Sequence, residues 1–138
     1  MARRQLPVLQ ESNAPASRTI DIADEERARR LVALGWALSD PVRVTMLGML
    51  AEGRGCCELP DCGVPARNQD VGICVCEFER YFDVGQSKVS YHLAKLKAGL
   101  VHEERRGKWS FYSLDREAAG RLLAETAAHL DGSASIDG

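Results

Sequence analysis

The chain has 138 residues, enough for one domain with one hydrophobic core and too few for two. Apolar residues make up 45% and charged residues 28%, as in soluble globular proteins, and no apolar run reaches the roughly 18 residues that a membrane span needs. The two arginines near the N-terminus precede no apolar segment, which argues against a secretory signal, so we expect a cytoplasmic protein.

The first half of the chain predicts a tail followed by two helices. Small polar residues and prolines without periodicity predict a flexible tail over residues 1–22. A helix is expected from about Asp24, where leucines begin to recur at helical spacing. A second, more apolar helix is expected from Pro41, because proline suits the first helical position and Asp40 can cap it.

A glycine- and proline-rich stretch over residues 53–72 interrupts this pattern and predicts an inserted loop. A loop of that length in a small domain indicates a function of its own. We therefore predict one folded domain over residues 23–131 that contains this loop, and a frayed end over residues 132–138. The loop holds three cysteines: Cys56, Cys57 and Cys62.

The second half predicts a short helix over residues 74–82 and another helix from Gln86 to about Ala98. Two short strands follow around Arg106, with a last helix over residues 116–130. A short helix, a tight turn, a helix with a polar outer face and a hairpin make a winged helix-turn-helix. The predicted fold class is therefore α+β, mainly α, with a two-stranded wing.

The charges are segregated along the chain. Residues 52–83 hold seven acidic and three basic residues, whereas residues 86–108 hold six basic and two acidic ones. A single surface lysine is as often a solvated charge as a phosphate contact, but a basic set on one helix and one hairpin indicates double-stranded DNA. The candidate contacts to bases or sugars are Gln86, Ser87, Ser90 and Tyr91, and those to the backbone or minor groove are Lys88, Lys95, Arg105, Arg106 and Lys108.

All five cysteines fall within residues 56–76. One buried cysteine is usually a small apolar residue, but five in one window indicate chemistry. Paired Cys-x-x-Cys spacing is absent, which argues against zinc ribbons and thioredoxin-type redox sites. Thiolate ligands without histidine select soft ions. The candidate ligands are Cys74, Cys76, Cys56, Cys57 and Cys62.

Four segments together resemble the arsenical-resistance (ArsR/SmtB) family of repressors. They are ALSDPVR at 37–43, ICVCEF at 73–78, QSKVSYHL at 86–93 and GKWSFYSL at 107–114. The resemblance implies a homodimeric, non-enzymatic repressor that leaves its operator DNA when a metal or metalloid binds. It makes trivalent arsenic or antimony, As(III) or Sb(III), the leading inducer, held by cysteine thiolates.

The chain departs from the best-known arsenic sensors at Glu79, where those proteins have a third cysteine. A carboxylate is a poor ligand for a thiophilic metalloid. A three-thiolate site would therefore take its third ligand from the inserted loop. From the sequence we favour the pair Cys56 and Cys57 slightly over Cys62.

The spacing of Cys74 and Cys76 has a mechanical implication. Residues i and i+2 of a helix lie about 200° apart around its axis, so their side chains diverge. If both thiols lay on the helix, gripping one ion would unwind its first turn. We therefore expect inducer binding to distort the helix that positions the recognition helix.

Other functions stay open at this point. A soft divalent ion (Cd, Pb or Zn) could be the inducer, or the thiols could sense oxidation, the adjacent Cys56 and Cys57 being one candidate pair. A thiol-dependent arsenate reductase would need a phosphate-binding loop, and Gly53-Arg54-Gly55 is too short to be one. A histidine-rich zinc site on the last helix looks incomplete.

We expect dimerisation through the first and last helices, at two leucine sets: Leu31, Leu34 and Leu38, and Leu122, Leu123 and Leu130.

Overall fold

The structure, a computed structural model, describes residues 21–65 and 72–132. Nearly all of the expected N-terminal tail and of the frayed C-terminal end lies outside the described residues. The elements in chain order are α1 (Ile22–Ala37), α2 (Pro41–Glu52), a 3₁₀ turn (Gly53–Gly55), β1 (Ile73–Cys74), α3 (Val75–Phe82), α4 (Gln86–Leu96), β2 (Val101–Arg106), β3 (Trp109–Leu114) and α5 (Arg116–Asp131). The fold is thus the predicted winged helix-turn-helix, in which α3 and α4 form the helix-turn-helix and β2 and β3 form the wing.

The start and end of α2 follow the predicted signals. The Asp40 side chain accepts a hydrogen bond from the Val42 amide at 2.8 Å, and Pro41 occupies the first helical position. Gly53, with φ at +81°, follows the last helical residue. After the 3₁₀ turn, the chain contains no regular element up to residue 65, as the glycine and proline content predicts.

The sheet has three antiparallel strands in the order β1-β3-β2, one more than predicted. The added strand pairs Ile73 with Tyr112 and Cys74 with Phe111. Two residues are too few to show a strand periodicity, which is why the sequence predicted a two-stranded wing. Only glycine fits at position 72, since a Cβ there would lie 1.7 Å from the Tyr112 carbonyl oxygen. The pairing fixes Cys74 in extended backbone.

The core lies between the helices and one face of the sheet. Its most buried members are Met46, Ile73, Phe78, Val89, Leu93, Leu96 and Phe111. Leu34 and Leu122, which belong to the two leucine sets predicted to form the dimer, lie in this core instead. The helices α1 and α5 nevertheless expose large apolar side chains, at Ile22, Val32, Trp36, Leu123 and Leu130. Across the two described ranges, every helix is too short or too polar to cross a membrane.

A buried arginine joins the first two helices to α4. Arg43, only 4% exposed, donates to the carbonyl oxygens of Trp36 and Ala37 at the end of α1 and to Nδ1 of His92 at 2.8 Å. Carbonyls at a helix C-terminus lack helical partners, and a cation there also interacts favourably with the helix dipole. Arg43 therefore fixes the position of α4 relative to α1.

The histidine of this contact predicts a pH dependence of stability. Burial lowers the pKa of His92 from its ordinary 6.5; Arg43 and Lys88 lower it further, against the opposing charge of Asp40. Below about pH 6.5 the unfolded chain therefore binds more protons than the folded one. The free energy of unfolding consequently decreases as the pH is lowered below that value.

We expect His92→Gln, which can still accept a hydrogen bond from Arg43, to reduce this fall. Urea denaturation of parent and variant between about pH 7 and pH 5 measures it, because the other histidines contribute equally to both proteins. Equal slopes would show that His92 takes up its proton as readily in the folded as in the unfolded chain.

Candidate DNA-binding surface and thiol site

The helix α4 presents one polar face to solvent. Val89, Leu93 and Leu96 are buried on its inner face, as their spacing predicted. The outer face exposes five of the six predicted DNA-contacting residues of this helix, namely Gln86, Ser87, Lys88, Ser90 and Tyr91, and half-buries the sixth, Lys95. The N-terminus of α4 has no side-chain cap, because Gly85 precedes it, so its first amide groups are available to a phosphate.

Trp36 of α1 belongs to the same surface, although the sequence did not indicate it. The Lys95 ammonium lies 5.2 Å from the centre of the Trp36 ring and 5.3 Å from that of Tyr91. Both rings are more than half exposed. A cation near two aromatic faces is attracted to both rings electrostatically, which restricts the motion of the Lys95 side chain.

The wing exposes all three of its predicted basic residues. Arg105, Arg106 and Lys108 lie at or next to the hairpin turn, where Gly107 adopts a φ of +62°. Arg106 pairs with Glu104 at 3.0 Å, and Lys108 lies over the Trp109 ring. The predicted basic tip is therefore present.

The two thiols of the Cys-Val-Cys segment lie side by side. Cys74 ends β1 and precedes α3 with extended dihedrals (φ −83°, ψ 152°), and its Sγ is 3.4 Å from Sγ of Cys76. The prediction that these side chains diverge is wrong, because Cys74 is not on the helix. Two neighbouring thiols can thus approach one ion while α3 keeps its first turn.

Cys62 of the inserted loop is the neighbour of this pair. Its side chain interacts with that of Cys76, and an Arg80 guanidinium on α3 donates to the Asp61 carbonyl next to it. Burial raises the pKa of the Cys62 thiol, and burial together with the adjacent thiols raises the pKa of Cys76. The geometry therefore favours Cys62 as third thiol, the reverse of the preference drawn from the sequence.

The other two loop thiols form a separate pair at the end of α2. The sulfurs of Cys56 and Cys57 are 2.9 Å apart, and both side chains pack against the core. Burial, with the neighbouring thiol, raises the pKa of Cys56 to about 11. Within the described residues, no three or more Cys, His, Asp or Glu side chains converge as a ready-made metal site, so the three thiols of Cys62, Cys74 and Cys76 must close to bind one ion.

A buried ion pair fixes the start of α3. Both nitrogens of the Arg54 guanidinium donate to the Glu77 carboxylate, at 2.8 and 2.7 Å. Glu77, only 2% exposed, accepts a hydrogen bond of 2.8 Å from the Cys74 amide. Arg54 also donates a hydrogen bond to the Gly72 carbonyl oxygen. The backbone of the Cys-Val-Cys segment is therefore tied to the turn that begins the inserted loop. The sequence did not reveal this pair, because its partners lie 23 residues apart.

A cleft joins the thiols to the DNA-binding surface. It has a volume of about 530 Å³ and lies between the start of α3, the outer face of α4 and the wing. Its lining includes Cys74, Cys76, Gln86, Ser90, Arg105 and Lys108. A ligand on the thiols would thus lie beside residues that we predict to contact DNA.

Comparison with known protein families identifies the helix-turn-helix. Residues 73–103 match the family described as bacterial regulatory protein, arsR family. These residues, which include α3 and α4, are thus similar to the helix-turn-helix of that family. The match agrees with the resemblance to the ArsR family of repressors that the sequence motifs indicate.

Curated relatives carry arsenic-related names. The arsenical resistance operon repressor of Bacillus subtilis is 47% identical over 53 residues, which are 38% of this chain and 50% of that protein. The arsenic resistance transcriptional regulator ArsR1 of Pseudomonas putida is 41% identical over 46 residues, 33% of this chain and 36% of that one. The chain thus spans half or less of the length of these two relatives.

A solved structure supports the fold. The homodimeric winged helix-turn-helix DNA-binding domain of Mb0332 from Mycobacterium bovis, a possible ArsR-family transcriptional regulator, superimposes with a TM-score of 0.53. It is 21% identical, and the match covers 83% of this chain and 90% of that domain. At this identity the likeness shows the shared winged helix fold.

Proposed function

We propose that this arsR-family regulator is a homodimeric repressor that binds double-stranded operator DNA in the cytoplasm and is released by trivalent arsenic or antimony bound to Cys62, Cys74 and Cys76. One observation carries this proposal: the adjacent thiols of Cys74 and Cys76 line the same cleft as Gln86 and Ser90 of α4. The arsenic-related names of the two relatives support the choice of inducer.

The donor set fits a trivalent metalloid. Three soft thiols without a histidine among them suit a thiophilic centre and do not suit hard cations, which prefer oxygen ligands. Arsenite, As(OH)₃, would form three As–S bonds and lose three hydroxide groups, each leaving as water with a thiol proton. The oxidation state of arsenic does not change, so the reaction needs no reductant.

Binding would act on the recognition helix through α3. Drawing Cys62 and Cys74 onto one atom pulls the loop and the end of β1 together, and the Cys74 amide is the donor to Glu77. A shift at that point moves the start of α3, which packs on α4 across the turn at Gly85. The coupling between inducer and DNA is then of the usual allosteric size, about 1–3 kcal/mol.

The apolar surface of α1 and α5 supports the dimer. Val32, Leu123 and Leu130 are each more than half exposed, and isolated monomers rarely leave such a set uncovered. We expect sedimentation equilibrium at micromolar concentration to give twice the chain mass of 15.1 kDa. Two recognition helices would then meet an inverted repeat about one DNA turn apart. A monomer at that concentration would contradict the proposed assembly.

Phosphate contacts are expected from the wing and from α4. Arg106→Ala or Lys88→Ala should weaken DNA binding similarly across sequences and flatten the plot of log affinity against log salt by about 0.9 for each contact. Gln86→Ala should instead change sequence preference, since we assign it to a base edge. Fluorescence anisotropy with several duplexes at different salt concentrations separates these effects. An unchanged salt slope for Arg106→Ala would place the wing away from DNA.

The inducer is tested by titrating the protein–DNA complex. A duplex selected from a random pool by the metal-free protein serves as operator. We expect micromolar arsenite to release the protein. Release by cadmium or lead at lower concentrations than arsenite would indicate a soft divalent sensor, and release by peroxide alone would indicate a redox sensor; either result would contradict the proposal.

A further inference from the structure

Cys56 and Cys57 form a second thiol group that the proposed inducer site does not use. Side chains of adjacent residues in a helix point about 100° apart. Here the chain leaves the 3₁₀ turn, and the two sulfurs converge to 2.9 Å. Both side chains are half-buried against the core, so their positions are constrained by packing. The pair follows α2, whereas the site of Cys74 and Cys76 begins α3.

We propose that Cys56 and Cys57 form a dithiol site for monosubstituted trivalent arsenicals, compounds with one carbon substituent and two exchangeable hydroxyl groups on arsenic. Two thiols match two exchangeable groups. The arsenical RAs(OH)₂ forms two As–S bonds and loses both hydroxides as water, each taking one thiol proton. The As–C bond and the oxidation state of arsenic are unchanged.

The backbone favours this chelate over a disulfide between the same residues. Consecutive Cα atoms are about 3.8 Å apart, below the roughly 4.4 Å at which ordinary disulfides begin. A direct S–S bond would therefore strain the intervening peptide. An arsenic atom between the sulfurs lets them stay farther apart, which the existing geometry accommodates.

Phenylarsine oxide is a suitable probe, because its hydrated form has one aryl group and two hydroxyls. The variant Cys62→Ser/Cys74→Ser/Cys76→Ser retains only the pair. We expect it to bind one phenylarsine group per chain by native mass spectrometry and to melt at a higher temperature with the probe, since a ligand that prefers the folded state stabilises it. Adding Cys56→Ser should abolish both the adduct and the rise in melting temperature.

The parent protein gives a second measurement that does not depend on the triple variant folding. It should bind two phenylarsine groups, and either Cys56→Ser or Cys57→Ser alone should reduce this to one. A parent whose number of bound groups is the same after Cys56→Ser, an adduct of the triple variant that survives Cys56→Ser, or loss of two hydrogen masses in place of an adduct would overturn the proposal. Because no DNA is present, these results are independent of whether arsenite releases the repressor.

Discussion

Replacing Arg54 with methionine is expected to lower the free energy of unfolding by about 3–5 kcal/mol, the usual cost of leaving one partner of a buried ion pair without the other. The carboxylate of Glu77 is 2% exposed and receives two hydrogen bonds from Arg54. Without the guanidinium that carboxylate stays buried, with the Cys74 amide as its remaining hydrogen-bond donor among the contacts described above. Urea denaturation of parent and variant measures the difference.

Two further variants control this result. In Arg54→Met/Glu77→Gln no buried charge is left unpaired, so we expect it to lose less than the sum of the two single changes. Arg29→Met removes an exposed ion pair with Glu25 and should cost less than about 1 kcal/mol. If Arg54→Met lowered the free energy of unfolding by less than about 1 kcal/mol, the pair of Arg54 and Glu77 would not hold α3 in place.

Replacing Cys74 with serine is expected to weaken the response to arsenite at least about tenfold while leaving DNA binding intact. Cys74 occupies the N-cap position of α3, and serine is a better N-cap residue than cysteine. The fold of α3 should therefore survive. Loss of one of three thiolates should raise the arsenite concentration for half-release at least about tenfold, which corresponds to 1.4 kcal/mol.

Cys76→Ser is the companion variant and should behave in the same way. Fluorescence anisotropy of a labelled operator duplex gives both the affinity without arsenite and the midpoint of release. Release of either variant at the parent's arsenite concentration would show that the Cys-Val-Cys segment is not the inducer site. A variant that no longer binds DNA without arsenite would contradict the claim that the thiols are not needed for folding.

Local patterns predicted most of the architecture. The caps at Asp40 and Gly53, the buried stripe of α4 and the basic hairpin each depend on residues within one or two turns of each other, so the sequence displays them. The same is true of the exposed polar face from Gln86 to Tyr91. Trp36 was missed because it reaches that face from α1, more than 50 residues earlier in the chain.

The thiol site shows where local reasoning fails. Moving the start of α3 by one residue turns Cys74 from a helical side chain that diverges from Cys76 into an extended one beside it. The short strand that causes this shift forms only by pairing with β3. The position of Cys62 depends on Arg80 and on a loop whose path has no periodicity. Such contacts between distant segments are not encoded in residue spacing.

A comparison of loop variants tests the inducer site most directly. Arsenite is titrated into complexes of operator DNA with the Cys62→Ser variant and with the Cys56→Ser/Cys57→Ser variant, and release is followed by anisotropy. We expect Cys62→Ser to remain bound at concentrations that release the parent, and the double variant to be released with the parent. Release of Cys62→Ser at the parent's midpoint, with the double variant still bound, would contradict the site of Cys62, Cys74 and Cys76.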